Sequence, residues 1–104
     1  MHVSIRRYES VDESRKAELV KLVDEQLLPT LSELPGFSGY SLVDAGDGVI
    51  TSVGFFDSAE HADESSRVAA NWVREQKLES ALPKAPKITS GNVLVHKTHE
   101  LAQA

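Results

Sequence analysis

Residues 2–8 alternate in polarity. Val3 and Ile5 fall on one side, and His2, Ser4, Arg6 and Tyr8 on the other. That period of two predicts a strand with an apolar and a polar face. Arg7 falls on the apolar side, so the strand is expected to leave the core there. Between Val11 and Leu34 the period lengthens. Leu19, Val20, Leu22, Val23, Leu27, Leu31 and Leu34 recur at three- and four-residue intervals and predict a helix with one broad apolar face. Asp12 and Glu13 suit its start. Pro29 lacks an N–H and crowds the carbonyl of Glu25, so a kink or break is expected. Pro35-Gly36 ends the helix. Residues 37–43 predict a second strand, Asp44 to Gly48 a turn and residues 49–56 a third strand, together a hairpin. Neither face of that third strand is strongly polar, so it is expected to be central and covered on both sides. Asp57-Ser58-Ala59-Glu60 has the spacing of a capping box. The helix behind it runs to about Lys77, with an inward stripe of Ala62, Ser65 or Ser66, Ala69, Trp72 and Val73. Leu78 to Pro86 reads as a connection. Residues 88–97 alternate as a last strand, and residues 98–104 read as a loose tail.

The order strand, helix, strand, strand, helix, strand predicts an α+β, ferredoxin-like βαββαβ domain over residues 1–97, with a four-stranded antiparallel sheet. Both helices cover one sheet face. The other face is expected to carry Tyr40, Leu42, Ile50, Phe56 and Leu94, mixed with Arg6, Ser52, Asn92 and His96. Leaving so apolar a face in water costs ~25 cal/mol per Å². A second copy of the sheet would cover it, so a homodimer joined sheet to sheet is expected.

Composition narrows the chemistry. The 104 residues suit one domain, and 40% apolar with 26% charged residues is ordinary globular usage. Eleven basic against 16 acidic residues give a charge of −5, and no basic run exceeds Arg6-Arg7. A nucleic-acid partner is disfavoured, because neutralising phosphates needs a basic stripe. The absence of Cys removes disulfides, thiolate metal sites and Cys nucleophiles. No apolar run suits a signal peptide or a bilayer span, so a cytoplasmic protein without a membrane partner is expected.

One segment adds a resemblance. Leu34-Pro35-Gly36-Phe37-Ser38-Gly39-Tyr40 follows a Leu-rich helix. A Gly-containing hairpin and Phe56-Asp57-Ser58-Ala59-Glu60-His61-Ala62 come after it. This arrangement resembles the antibiotic-biosynthesis-monooxygenase-like proteins of the dimeric α/β-barrel superfamily, over about residues 2–97. The resemblance implies a dimeric α/β barrel and, for activity, cofactor-independent oxygenation of a small electron-rich aromatic or enolisable compound. The scaffold also hosts haem-degrading enzymes, cyclases, isomerases and proteins without known chemistry. The haem-degrading branch uses an Asn on the first strand, a Trp early in the second helix and a His near its end. Here Arg6 or Arg7, Ser65, and Glu75 or Gln76 stand near those places, so haem degradation is rejected and no cofactor is expected.

The candidate residues follow from position. Arg6, opposite Val3 and Ile5, is expected to enter the dimer interior, where a buried guanidinium needs an anion. That anion is either an acid of the protein or a carboxylate, phenolate or enolate ligand. Tyr40 and His96 are the candidates for proton transfer, His96 because its neutral form is available near pH 7. Trp72 is a packing residue or a pocket wall, and Ser52 and Asn92 are candidate ligand contacts. Of the other histidines, His61 is expected to be exposed. His96 and His99 lack the spacing of a helical zinc motif, and His2, which could lie near His96 across the sheet, is a terminal residue of the kind usually solvated, so no metal site is expected. Two functions remain open: an oxygenase of the implied type, or a non-catalytic dimeric module that binds a small apolar or aromatic ligand.

Overall fold

The computed structural model describes residues 1–98. The segment read as a tail, and His99 within it, lie outside the described residues apart from Thr98. Strand β1 (His2–Tyr8) leads through a 3₁₀ turn (Glu13–Arg15) into α1 (Lys16–Leu22). A π-helical turn (Val23–Leu27) then joins α1 to α2 (Leu28–Ser32). Strands β2 (Phe37–Gly46) and β3 (Val49–Phe56) form the hairpin, followed by α3 (Ala59–Glu75) and β4 (Lys87–Asn92). The four strands are antiparallel in the order β2-β3-β1-β4. The ferredoxin-like order expected from the sequence is therefore the fold.

Local chemistry explains the breaks. The Asp12 side chain accepts from the Ser14 backbone N–H and caps the 3₁₀ turn. Pro29 stands in the first turn of α2, directly after the π turn. The missing donor at residue 29 is thus absorbed by a widened turn upstream, and the helix continues instead of breaking. In the β2–β3 turn, Asp47 and Gly48 both have positive φ, as the tight hairpin requires. Ser58 rather than Asp57 caps α3, accepting from the His61 backbone N–H at 3.2 Å.

Gly36 is the tightest point in the chain. Its φ is +79°, and a Cβ there would lie 2.1 Å from Asp57 Oδ1 and 2.6 Å from His61 Nδ1. The Asp57 backbone N–H donates to the Gly36 carbonyl across the same gap. Only glycine combines that backbone angle with that approach.

The core lies between the sheet and the helices. Val11, Leu19, Val23, Leu27, Leu31, Ile50, Ala69, Trp72, Leu78 and Leu82 form it. The connection after α3 contributes through Leu78, Ala81 and Leu82, all buried, and the Ala81 carbonyl accepts from the Asp12 N–H.

The two sheet faces are the reverse of the expectation. Ser4, Arg6, Ile50, Ser52 and Phe56 are buried beneath the helices. Strand register places Tyr40 and Leu42 on that same side. The open face carries Val3, Ile5, Val43, Val49, Thr51, Val53 and Phe55 instead. The polar look of Ser4 and Arg6 marked their face as outward. In the fold these groups line a polar spot within the core. The last strand is also shorter than expected, ending at Asn92, and Leu94 and Val95 beyond it are 92% and 90% exposed.

Candidate active site

Arg6 sits at the centre of the covered face. Its register partners are Ser52 on β3 and Ile88 on β4, and Leu42 pairs with Ser52 on the far side. The row thus places one guanidinium among short or apolar side chains. Arg6 is 5% exposed. One terminal nitrogen donates to Ser66 Oγ on α3 at 3.4 Å, and Ser66 Oγ lies 3.2 Å from Ser4 Oγ. Its Nε has no acceptor, and among the described residues no carboxylate pairs with it. A buried cation facing neutral groups alone is costly, and groups of this kind cluster at functional sites.

Two spaces meet at this residue. The inner one is a cavity of about 30 Å³ between sheet and helices. Tyr8, Tyr40, Ser52, Trp72 and Ala69 help to line it, with Arg6 in its wall. That volume is room for about one water molecule. The outer one is a pocket of about 320 Å³ between α3 and the connection to β4, lined among others by Arg6, Tyr8, Ala70, Val73 and Leu82. Arg6, Tyr8, Val73 and Leu82 belong to both. The outer volume falls at the small end of ligand pockets, roughly 300–1,000 Å³.

The phenols beside Arg6 are held in their neutral form. Burial pushes the Tyr8 and Tyr40 hydroxyls above the usual phenol range, and the Arg6 charge offsets this only in part. Both therefore keep their protons at neutral pH, and each hydroxyl has a proton to donate. On the cavity wall opposite the sheet, Trp72 donates its indole N–H to Gln26 Oε1 at 3.3 Å, which ties α3 to the π turn. Gly54 faces Tyr40 across the hairpin, and a Cβ there would lie 3.2 Å from the Phe56 ring.

No protein-family model and no curated protein sequence matches the chain. Solved structures do. A protein of unknown function from Nitrosomonas europaea is 16% identical, with a TM-score of 0.74 over 94% of this chain and 93% of that one. A monooxygenase of Streptomyces coelicolor, solved with the ligand nanaomycin D, is 17% identical, with a TM-score of 0.69 over 94% and 91%. A putative antibiotic biosynthesis monooxygenase from Nitrosomonas europaea is 13% identical, with a TM-score of 0.70 over 91% and 100%. The chain has an antibiotic-biosynthesis-monooxygenase-like fold. Identity this low carries the fold and leaves each residue's role to local geometry.

Within the antibiotic-biosynthesis-monooxygenase-like fold, Arg6, Tyr40, Ser52 and Trp72 converge on one cavity. The expectation that Arg6 enters a dimer interior is corrected: it faces its own helices. Asn92 and His96 stand apart. Asn92 is exposed on the edge strand, its Oδ1 3.4 Å from His2 Nδ1. The His96 ring lies 5.5 Å from that of Phe55, and Phe55 is on the open sheet face. Tyr8 and Ser66 belong to the site although neither was singled out. The signal for Tyr8 was present in β1, where Ser4, Arg6 and Tyr8 share one face, and Ser66 lies on the inward stripe of α3. Among the described residues no three His, Asp or Glu side chains gather as a metal site, and no helix is long and apolar enough to cross a membrane.

Proposed function

We propose that the chain is a cofactor-independent monooxygenase of the antibiotic-biosynthesis type, acting on a small electron-rich aromatic or enolisable compound. One observation carries this reading: the buried Arg6 guanidinium, whose Nε has no acceptor, lines both the inner cavity and the outer pocket. A phenol or enol placed in the outer pocket with its oxygen towards Arg6 loses its proton more readily, because the fixed cation stabilises the anion. The resulting carbanion-like ring is the electron donor to dioxygen. For an activated ring methylene the balance is CH₂ + O₂ → C=O + H₂O, with one oxygen atom retained and the other leaving as water. Tyr8, neutral and lining both spaces, holds a proton at Oη and donates a hydrogen bond to the oxyanion, while Tyr40 backs Arg6 from the inner cavity. Trp72 and Ser52 shape the inner wall.

Association belongs to the same proposal. The open face carries Val3, Ile5, Val49, Val53 and Phe55 without a covering layer in the single chain. A second copy laid sheet to sheet removes that surface from water and yields a symmetric dimer. A cytoplasmic location fits this reading.

The test is oxygen uptake by the purified chain, screened against anthrones, quinols and flavonoid-like compounds. Turnover is expected with at least one class and is expected to fall by about 100-fold in Arg6→Met, the scale of losing one oxyanion donor. Full turnover in that variant sinks the assignment. The distance of His96, a candidate base, from both spaces favours a second reading, a non-catalytic dimeric module that binds a small ligand. Binding of these compounds without oxygen uptake selects it.

A further inference from the structure

The outer pocket bears a charge opposite to that of the chain. The protein carries a net −5, yet the cations Arg6, Arg74 and Lys84 line this pocket with one carboxylate, Glu79. Among the described residues neither Arg74 nor Lys84 forms an ion pair. Arg74 donates instead to the neutral side chain of Asn71. Apart from Tyr8 and Ser66 beside Arg6, the remaining lining is apolar, including Ala70, Val73, Leu82, Pro83 and Pro86. The lining also includes Arg6, a buried guanidinium without a carboxylate partner among the described residues. The pocket therefore combines apolar lining with three cations against one carboxylate.

We propose that this pocket binds aromatic carboxylates that also carry a phenol or enol oxygen. The ring lies between Val73 and the Leu82–Pro83 side, its hydroxyl on Arg6 and its carboxylate at Arg74 and Lys84. The placement of the hydroxyl rests on the monooxygenase reading, whereas the preference for a carboxylate does not. An exposed ion pair contributes little by itself, but two cations acting on one anion beside an apolar lining add to the burial of the ring.

The probes are 6-hydroxy-2-naphthoate and its neutral counterpart 2-naphthol, titrated into the full chain by calorimetry. The fluorescence of Trp72, the only tryptophan, is read in parallel. The carboxylate is expected to bind about 5- to 10-fold more tightly at low salt, with the margin shrinking as salt is added. The double variant Arg74→Gln/Lys84→Gln is expected to lower the carboxylate to the affinity of the neutral naphthol. Glu79→Gln is expected to raise carboxylate affinity about 2-fold, a gain that misfolding cannot produce. Equal affinities for the two probes, a preference that survives the double variant, or no binding of either overturns the proposal. Carboxylate-selective binding without oxygen uptake keeps the pocket and removes the enzymatic reading. Oxygen uptake on neutral naphthol without selectivity does the reverse.

Discussion

The two faces of the sheet differ in a way that inverts the usual rule. The face under the helices contains Ser4, Arg6, Ser52 and two tyrosines, whereas the face without a cover is mostly Val, Ile and Phe. Burial of polar groups on the inner side costs stability unless each finds a partner, and Arg6 Nε has none. Apolar residues on the outer side cost stability unless something covers them. Each face is thus incomplete in the single chain, the inner towards an anion and the outer towards another apolar surface.

Adjacent phenylalanines give the sharpest way to break this comparison. Phe56 is buried on the inner side and meets Phe37 edge-on, with ring centroids 5.8 Å apart. Phe55 points to the open face. Phe56→Ala is expected to lose about 3–5 kcal/mol by cavity formation, independent of protein concentration. Phe55→Ala is expected to cost less, and its cost to grow with protein concentration if a dimer is what Phe55 stabilises. Denaturant melts at two concentrations a hundredfold apart check both. Concentration-independent melts for the wild type and for Phe55→Ala count against a covered outer face.

The next effect is on association. Val53 lies beside Ile5 in the middle of the open face. Val53→Asp is expected to weaken dimerisation by about 100-fold or more, since an unpaired carboxylate would be buried at the centre of the contact. Sedimentation velocity reads this directly. A wild-type chain that sediments as a monomer at micromolar concentration removes both the dimer and the barrel.

A smaller effect separates neighbours across the sheet. Arg6 is buried without a carboxylate, while Arg7 is exposed and pairs with Glu9 at 3.0 Å. Arg6→Met is expected to be neutral or to stabilise by up to about 2 kcal/mol, because an uncompensated buried charge is replaced by an apolar chain of similar length. Arg7→Met is expected to stay within about 0.5 kcal/mol. Thermal melts of the two variants test this. If Arg6→Met destabilises strongly, Arg6 is a structural residue and the site argument fails.

These contrasts also explain what was legible in the sequence. Element order and the Pro-Gly entry to β2 follow from local rules, and the fold bears them out, whereas the cap of the second helix falls one residue later, on Ser58, and Pro29 is met by a π turn instead of a break. Which sheet face the helices cover does not follow from alternation alone. Alternation in β1 says that Val3 and Ile5 oppose Ser4 and Arg6, and hydrophobicity then assigns the wrong pair to the interior. The decisive information is tertiary: the small side chains of α3, Ala62, Ser65 and Ala69, let that helix approach the sheet, and Ser66 supplies an oxygen to Arg6. Arg6, Tyr8, Tyr40 and Ser52 were legible as one sheet face, but their meeting with Trp72 was not, because their polar pattern placed that face away from the helices. The remoteness of His96 was not, because its segment departs from the sheet after Asn92.

The smallest expected effect concerns the corner where β3 leaves the sheet for α3. Asp57 Oδ1 and His61 Nδ1 are 2.5 Å apart and close over Gly36. Donating its ring N–H to the Asp57 carboxylate raises the His61 pKa above its ordinary 6.5, and accepting that bond lowers the Asp57 pKa below its ordinary 3.8. The raised His61 pKa contributes stability that is complete below 6.5 and is lost as pH rises through the folded value. The lowered Asp57 pKa contributes stability that is present above 3.8 and is lost as pH falls through the folded value. The pair therefore stabilises most between these limits. Solvent screens it, so a modest change in Tm is expected. The difference in Tm between wild type and Asp57→Asn, scanned from pH 3 to pH 9, is expected to peak between about 4 and 6.5 and to shrink on both sides. A difference that stays constant across the scan means that Asp57 acts on Gly36 through packing alone. A peak ties the motif at the entry to β2 to the first turn of α3 by charge, at a corner that belongs to neither sheet face.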